Sequence, residues 1–290
     1  MSFLAHDGLF WRRLAAAGAR HTPRWWMQYS PPFFGVAAAL ALPSARRAVR
    51  RNLAHLRGPA PFWRDTLDTA RTFATYAECL TEVLAQGSKN AVAARGEIHG
   101  AEHVEKMIAR GKGLIVLTMH TAGWESAPPL LARDRSLDVL VVMEEERSEG
   151  AQAIHDRARA VAGLKVVHVG SDPLAGLPLI RHLEKKKGAI AMQIDRVPKS
   201  GRTLPVQLLG VPAEIPEGPF RLAQLTGAAL APAFSARLAF GRYLVQAYPT
   251  VLVARRASHA DVLVAAQHVA DAMTDFLRRY PTQWFHFGPW

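Results

Sequence analysis

The sequence contains a single cysteine, Cys79, among its 290 residues. No disulfide can form within the chain, and this cysteine usage fits a reducing compartment. Because Cys79 lies in an apolar pattern of helical spacing, we interpret it as a small core residue and not as a catalytic thiol. The His-Glu-x-x-His and Cys-x-x-Cys spacings are also missing, and the histidines are scattered, so the sequence predicts no metal site.

Three glycine-rich signatures of common enzyme classes are absent as well. There is no Gly-x4-Gly-Lys loop for nucleotide phosphates and no Gly-x-Gly-x-x-Gly turn for dinucleotides. The Gly-x-Ser-x-Gly elbow, which presents the nucleophile of many serine hydrolases, is not present either. The sequence therefore predicts no bound cofactor and argues against a serine hydrolase.

The first 60 residues contain almost no acidic side chains. The whole chain has 36 Lys and Arg against 24 Asp and Glu, which gives a formal net charge of +12. Such an excess attracts polyanions such as nucleic acid, anionic lipid headgroups or an acidic protein. Within residues 1–60 the one acid is Asp7, and the nine basic side chains are Arg12, Arg13, Arg20, Arg24, Arg46, Arg47, Arg50, Arg51 and Arg57.

Aromatic and aliphatic residues are mixed with these arginines. They are Phe3, Leu4, Leu9, Phe10, Trp11, Trp25, Trp26, Phe33 and Phe34. Aromatic rings can lie at headgroup depth while guanidinium groups pair with lipid phosphates, so residues 1–60 are predicted to be a basic helical segment that associates with a membrane. The alternative is a basic helical surface packed on the rest of the protein. Nucleic-acid binding is a weaker hypothesis, because only the charge suggests it.

No apolar run is long enough to cross a bilayer. The best one extends from Pro31 to Pro43, about 13 residues, whereas a spanning helix needs about 20. The sequence therefore predicts peripheral or shallowly inserted association with the membrane.

Beyond residue 60 the apolar pattern alternates between two periods. Residues 62–84 have the spacing of one long helix, and short apolar runs then alternate with helical stretches. The runs that predict strands include 113–119, 137–143, 165–169, 189–194, 228–236 and 243–247. This alternation predicts an α/β fold whose mostly parallel central sheet is covered by helices on both faces. We divide the chain into the segment 1–60 and one α/β domain over residues 61–290.

A candidate catalytic pair follows the strand predicted at 113–119. His120 stands at its end, where parallel sheets gather their chemistry, and Glu125 follows across a turn that Gly123 makes easy. A carboxylate at this spacing can accept a hydrogen bond from one imidazole nitrogen, leaving the other to take a proton from a substrate hydroxyl. That hydroxyl can attack a thioester carbonyl directly. The alternative is an isolated polar histidine beside a glutamate that the helix dipole favours.

Several motifs, taken in order, resemble the lipid A biosynthesis late acyltransferases of the lysophospholipid acyltransferase-like superfamily. The matching segments are 46–53, 100–104, 111–113, 120–125, 193–196, 209–213, 218–223 and 280–284. The resemblance covers residues 45–290. It implies transfer of a fatty acyl chain to a hydroxyl of a membrane lipid or glycolipid, with a lipid A-type acceptor favoured. The co-substrate would be a thioester of acyl carrier protein or coenzyme A.

The resemblance also implies roles for individual residues. His120 would be the general base, and Glu125 would orient it and stabilise its charged form. Trp124 would pack behind this pair, although ordinary core packing explains it equally well. Arg157, with Arg159 as an equal alternative, would bind a phosphate or stabilise the oxyanion, or would simply be a solvated helix charge.

Three further residues are candidates for binding the acceptor. Asp195 and Arg196 follow a predicted strand, so they either contact the acceptor headgroup or pair with each other. Glu217 lies in an Ile-Pro-Glu-Gly segment and either binds the acceptor or favours the start of a helix. The chain departs from the family pattern at Ala122, Gly123 and Arg196. The acceptor could therefore be a lysophospholipid or another polar lipid, or the chain could be a non-catalytic lipid-binding relative.

The same resemblance implies a place in the cell. Enzymes of lipid A and lipopolysaccharide biosynthesis work at the cytoplasmic face of the bacterial inner membrane. A second basic stretch, Lys185-Lys186-Lys187 with Lys199 and Arg202, is usually a solvated surface. It could also dock the acidic acyl carrier protein or an anionic membrane.

Overall fold

The computed structural model describes residues 9–125, 137–144, 149–161, 163–169, 176–185, 188–197 and 201–288. Within these ranges the helices are α1 (Leu9–His21), α2 (Arg24–Tyr29), α3 (Pro31–Ala41), α4 (Pro43–Arg57), α5 (Phe62–Leu84), α6 (Ala101–Ile108), α7 (Glu149–Val161), α8 (Leu177–Leu183), α9 (Gly218–Thr226) and α10 (His259–Arg279). The strands are β1 (Arg95–His99), β2 (Leu114–Thr118), β3 (Asp138–Glu144), β4 (Lys165–Val169), β5 (Gly188–Gln193), β6 (Thr203–Leu208), β7 (Val211–Pro216), β8 (Ala229–Ala239) and β9 (Arg242–Ala247).

Seven of these strands form one sheet in the order β1-β9-β8-β2-β5-β3-β4. Neighbouring strands run parallel, except that β8 and β9 form an antiparallel pair. β6 and β7 make a separate antiparallel ribbon. The predicted α/β fold with a mostly parallel central sheet is confirmed.

Apolar side chains cover both faces of this sheet. Along β2, Ile115 and Leu117 join a core cluster that includes residues of α8, α9 and α10, whereas Leu114 and Val116 join a second cluster with α6. Successive side chains of a strand point to opposite faces, so the two clusters lie on the two sides of the sheet. Helices on both sides bury the central strands, as the near-continuous apolar runs predicted.

The helices before residue 60 pack against α5 and the main core. α3 lies so close to α5 that a Cβ on Gly35 would be 2.4 Å from the backbone oxygen of Phe73. Val49 and Leu53 of α4 belong to the same core cluster as the sheet residues. This packing orients the basic segment relative to the sheet, while the boundary at residue 60 stays a prediction.

Helices α2 and α3 and the start of α5 expose large apolar side chains. No helix in the described part of the chain has both the length and the hydropathy needed to span a bilayer. The exposed fractions range from 61% to 76% for Trp25, Tyr29, Phe33, Phe34, Leu40, Phe62 and Trp63. Aromatic residues concentrated in this way are typical of surfaces that contact a membrane or another protein.

Candidate active site

Strand register brings together two residues that are far apart in sequence. β2 and β5 are parallel neighbours, and Thr118 lies opposite Gln193. His120 and Asp195 each follow two residues later, and the backbone N–H of Ile194 donates to the Thr118 carbonyl at 3.0 Å. Both side chains therefore emerge at the carboxyl edge of the sheet, where ligands bind in folds of this kind.

A buried carboxylate holds the imidazole of His120. Its Nδ1 lies 2.8 Å from Oδ1 of Asp195, and the His120 backbone N–H donates to the same oxygen at 3.1 Å. The second oxygen, Oδ2, accepts a hydrogen bond of 2.8 Å from Nε1 of Trp284. The Asp195 side chain is fully buried, whereas that of His120 is 23% exposed. The imidazole is thus the member of the pair that a substrate can reach.

The charge of the Asp195 carboxylate determines which imidazole nitrogen of His120 carries the proton. Burial by itself would raise the pKa of the Asp195 carboxyl, but His120, the Trp284 hydrogen bond and Arg196 together hold that pKa below its ordinary value. An ionised carboxylate only accepts hydrogen bonds, so Nδ1 of His120 must donate. The neutral imidazole then has its lone pair on Nε2, which makes no hydrogen bond with any described residue. This nitrogen is available as a base.

Glu125, predicted to accept the imidazole hydrogen bond, has a different partner. Its Oε1 accepts a hydrogen bond of 2.9 Å from Nε of Arg159, and both side chains are largely buried. The prediction was therefore wrong about which carboxylate contacts His120. The physical reason is that a buried guanidinium binds Glu125, while strand register supplies Asp195 to the histidine.

Trp124 lies between these two groups. Its ring centroid is 6.3 Å from that of His120, and the guanidinium carbon of Arg159 stands 5.8 Å from the centre of its ring. A cation over an indole is an attractive contact. The ion pair of Arg159 and Glu125 therefore supports Trp124 from one side, and Trp124 borders the imidazole on the other.

The remaining predicted residues lie at different distances from this centre. Arg157 is exposed on α7, whereas Arg159, the alternative, is buried and also contacts Asp156 at 3.2 Å. Arg196 donates to the backbone oxygen of Phe285 at 2.9 Å. Glu217 precedes α9, where its backbone N–H bonds to Arg202, and it has no described contact with His120.

The C-terminal segment completes the site, and no role had been predicted for it. Besides the Trp284 bond to Asp195, the backbone N–H of Phe285 donates to the His120 carbonyl at 2.7 Å. The N–H of Ala122 donates to the Gln283 carbonyl at 3.0 Å. Residues 283–285 therefore fix both the histidine and the turn after it. The sequence signal was the Tyr-Pro-Thr-Gln-Trp motif at 280–284.

Comparison with known proteins shows the family of this chain. Residues 9–289 match the family described as bacterial lipid A biosynthesis acyltransferase. The chain belongs to this family. The resemblance inferred from the ordered motifs is confirmed, and the family it names is one of acyltransferases.

Two curated relatives are similar to this acyltransferase-family chain over part of its length. Both are named phosphatidylinositol mannoside acyltransferase and come from Mycobacterium tuberculosis strains H37Rv and CDC 1551. Each is 24% identical over 196 residues, which is 66% of this chain. The matched part spans 58% of the length of these relatives.

The turn between His120 and Glu125 depends on Gly123. Its φ of +82° is left-handed, and a Cβ there would lie 2.2 Å from Cδ1 of Tyr243. The hydroxyl of Tyr243 donates to the buried carboxylate of Glu82, which also receives a hydrogen bond of 2.7 Å from Arg237. The ring of Tyr243 is therefore fixed in place, and only glycine fits against it.

We expect Gly123→Ala to destabilise the fold by about 2–5 kcal/mol, because the methyl adds a clash to the cost of a left-handed residue. Urea unfolding of the purified variant measures this loss. Gly210→Ala is the matched control, since Gly210 has the same φ of +82° but no atom within 4 Å of its Cβ position. That control is expected to cost about 1–2 kcal/mol. Equal losses in the two variants would contradict the steric role of Tyr243.

Proposed function

We propose that this chain is an O-acyltransferase that moves a fatty acyl chain from a carrier thioester to a hydroxyl of a membrane lipid. The observation that carries the proposal is the partly exposed His120 imidazole, held by the buried Asp195 carboxylate at the carboxyl edge of the sheet. In this proposal Nε2 of His120, the nitrogen not bound to Asp195, is the one that accepts the proton. Family membership supplies the acyl chemistry.

The acceptor hydroxyl itself is the nucleophile in this proposal. Cys79, the one cysteine, is buried, and burial raises the pKa of its thiol well above the ordinary value. A neutral buried thiol is a poor nucleophile. A hydroxyl activated by an adjacent base needs no covalent enzyme intermediate.

The reaction balances with the groups present. The acceptor O–H gives its proton to Nε2 of His120 while its oxygen bonds to the thioester carbonyl carbon. The tetrahedral intermediate then expels the thiolate, which takes the proton back from the imidazolium as the C–S bond breaks. Asp195 remains ionised throughout and stabilises the transient charge on His120, as a triad carboxylate does. Arg159 and Glu125 support Trp124, which borders the imidazole.

The description of the family and the names of the two relatives favour a glycolipid acceptor. The family is described by lipid A biosynthesis, and the two relatives are named for phosphatidylinositol mannoside. We therefore propose a sugar hydroxyl of a membrane glycolipid as the acceptor. The exposed aromatic surface of α2, α3 and the start of α5 would rest on the membrane that holds it, at the cytoplasmic face of the bacterial inner membrane.

The acyl donor is either acyl carrier protein or coenzyme A as the thioester. Lys186, Lys187 and Lys199 of the second basic stretch lie outside the described residues. Lys185 is exposed, and its Nζ lies 3.8 Å from Asp138. Docking of an acidic carrier on this stretch thus stays a prediction.

We expect the purified chain to add one acyl group to a glycolipid presented in vesicles, detected by mass spectrometry as the mass of the fatty acid minus water. Acyl carrier protein and coenzyme A thioesters are supplied in separate reactions, and phospholipid vesicles without glycolipid are the control. Vesicle binding with no mass shift for any donor would instead support the non-catalytic lipid-binding relative. A shift only on a lysophospholipid would replace the acceptor.

A further inference from the structure

A groove of about 530 Å³ lies along one face of α4, and the proposed chemistry does not use it. Its lining residues on α4 are Ser44, Arg47, Ala48, Arg50 and Arg51, and all of these except Arg50 have the i, i+3, i+4 and i+7 spacing of one helix face. Phe287 forms the opposite wall. Arg47 and Arg51 are both exposed.

The arginines of α4 differ in whether they have hydrogen-bond or ion-pair partners among the described residues. Arg57 pairs with Asp65 at 2.6 Å and with Asp68 at 3.0 Å, and Arg46 donates to the Ala39 carbonyl at 2.9 Å. Arg47 and Arg51 make no hydrogen bond or ion pair with any described residue.

The sequence of α4 makes this arrangement costly without a ligand. α4 contains no acidic residue, so Arg47 and Arg51 stand as like charges at i and i+4 with no acid beside them on the helix. Like charges at this spacing repel each other. A bound anion would remove the repulsion, and its phosphate or carboxylate oxygens would match the donors of guanidinium groups.

Arg50 links the groove to the exposed aromatic surface. Its Nη2 donates to Thr66 Oγ1 at 2.9 Å, and its guanidinium carbon stands 5.1 Å from the centre of the Phe62 ring. The Nε of Arg50 is buried and has no hydrogen-bond partner. Phe62 is 76% exposed, so the groove opens beside the surface proposed to rest on the membrane.

The other wall of the groove leads to the active site. Phe287 is two residues from Phe285, whose backbone N–H donates to the His120 carbonyl. The residue between them, His286, accepts a hydrogen bond of 2.7 Å at its carbonyl from Asn52 of α4. Phe287 and His286 therefore connect the groove to the segment that holds His120.

We propose that this groove binds the phosphate group of the membrane-lipid acceptor, with Arg47, Arg51 and Ser44 as the contacting side chains. The proposal rests on the proposed function and adds where the phosphate of the acceptor binds. The phosphate anchors the lipid between the membrane surface and His120. Phe287 contacts the apolar part of the lipid next to its phosphate.

Calorimetric titration of the full chain tests the groove with soluble probes. We expect dihexanoylphosphatidylglycerol below its micelle concentration to bind more tightly than phosphate-free dihexanoylglycerol. Arg47→Gln combined with Arg51→Gln should weaken binding of the phospholipid about tenfold or more, because two charge-assisted contacts are lost. Arg255→Gln with Arg256→Gln removes the same charge from exposed residues outside the groove and should leave the affinity unchanged.

Three results would overturn the groove as an acceptor site. The first is equal binding of the two probes, and the second is equal weakening of binding in both double variants. The third is that the Arg47 and Arg51 double variant loses binding to 4′-phosphopantetheine but not to the phospholipid, which would assign the arginines to the acyl donor. His120→Ala keeps the two proposals separate. This variant should bind the phospholipid like the unmodified chain. The test of the groove therefore does not depend on whether the chain transfers an acyl group.

Discussion

His120→Gln should reduce the rate of acyl transfer by about a thousandfold or more. Glutamine fills a similar space, but it cannot accept the proton of the acceptor hydroxyl, and positioned general bases contribute about 10²- to 10⁴-fold. The change removes one of the hydrogen bonds that the buried Asp195 accepts, while Trp284 and the backbone N–H of residue 120 still donate to its oxygens. Initial rates with a labelled acyl thioester measure the loss, and circular dichroism checks the fold.

His99→Gln is the matched control for this prediction. His99 ends β1 at the edge of the sheet, and its side chain is 57% exposed. Its replacement should leave the transfer rate within about twofold, since surface changes away from special features have small effects. If His120→Gln retained more than a tenth of the activity, His120 would not be the base.

Local patterns in the sequence predicted most of the sheet. Continuous apolar runs located β2 to β5 and β8 to within a few residues, because strands buried on both faces carry apolar side chains at every position. β7 was not predicted. Its residues 211–216 include Pro212 and Pro216, which normally break strands, but this ribbon has only two strands and so leaves one edge free of backbone pairing.

The partner of His120 could not be predicted from spacing. Glu125 is close in sequence, and Asp195 is 75 residues away from the histidine. Asp195 reaches the imidazole only because β2 and β5 are neighbours and Thr118 pairs with Gln193. Strand order depends on the packing of the whole chain. What the sequence did indicate was that both residues follow apolar strands.

The choice between Arg157 and Arg159 was undetermined for a similar reason. Residues of a helix are separated by about 100° around its axis, so two positions apart they point to nearly opposite sides. The pattern of α7 did not show which side faces the active site. In the structure Arg159 faces inward, toward Trp124 and Glu125, and Arg157 faces solvent.

Asp195→Asn should lower the transfer rate by about 10²- to 10⁴-fold, although the side chain keeps its size. The amide can donate to Nδ1, which favours the imidazole tautomer whose Nε2 carries the proton and cannot act as a base. Glu125→Gln is the comparison variant, because it keeps the carboxylate on His120 and only removes the charge opposite Arg159. We expect the transfer rate of Glu125→Gln to fall by a factor at least about ten times smaller than that of Asp195→Asn. Steady-state kcat for the two variants decides which carboxylate serves the histidine.

Asp195→Asn should also change how the free energy of unfolding depends on pH. The pKa of the Asp195 carboxyl is lower in the folded chain than its ordinary value, so ionised Asp195 stabilises the fold at pH above about 3.9, the usual pKa of an unfolded aspartate. This contribution is lost as the pH falls below that value toward the folded pKa. The free energy of unfolding of the unmodified chain, measured by urea titration, should therefore begin to approach that of Asp195→Asn as the pH is lowered from about 4 to about 3. A constant difference over that range would contradict the lowered pKa of Asp195. Equal rates for the Asp195 and Glu125 variants would mean that the pair with His120 is structural and not catalytic.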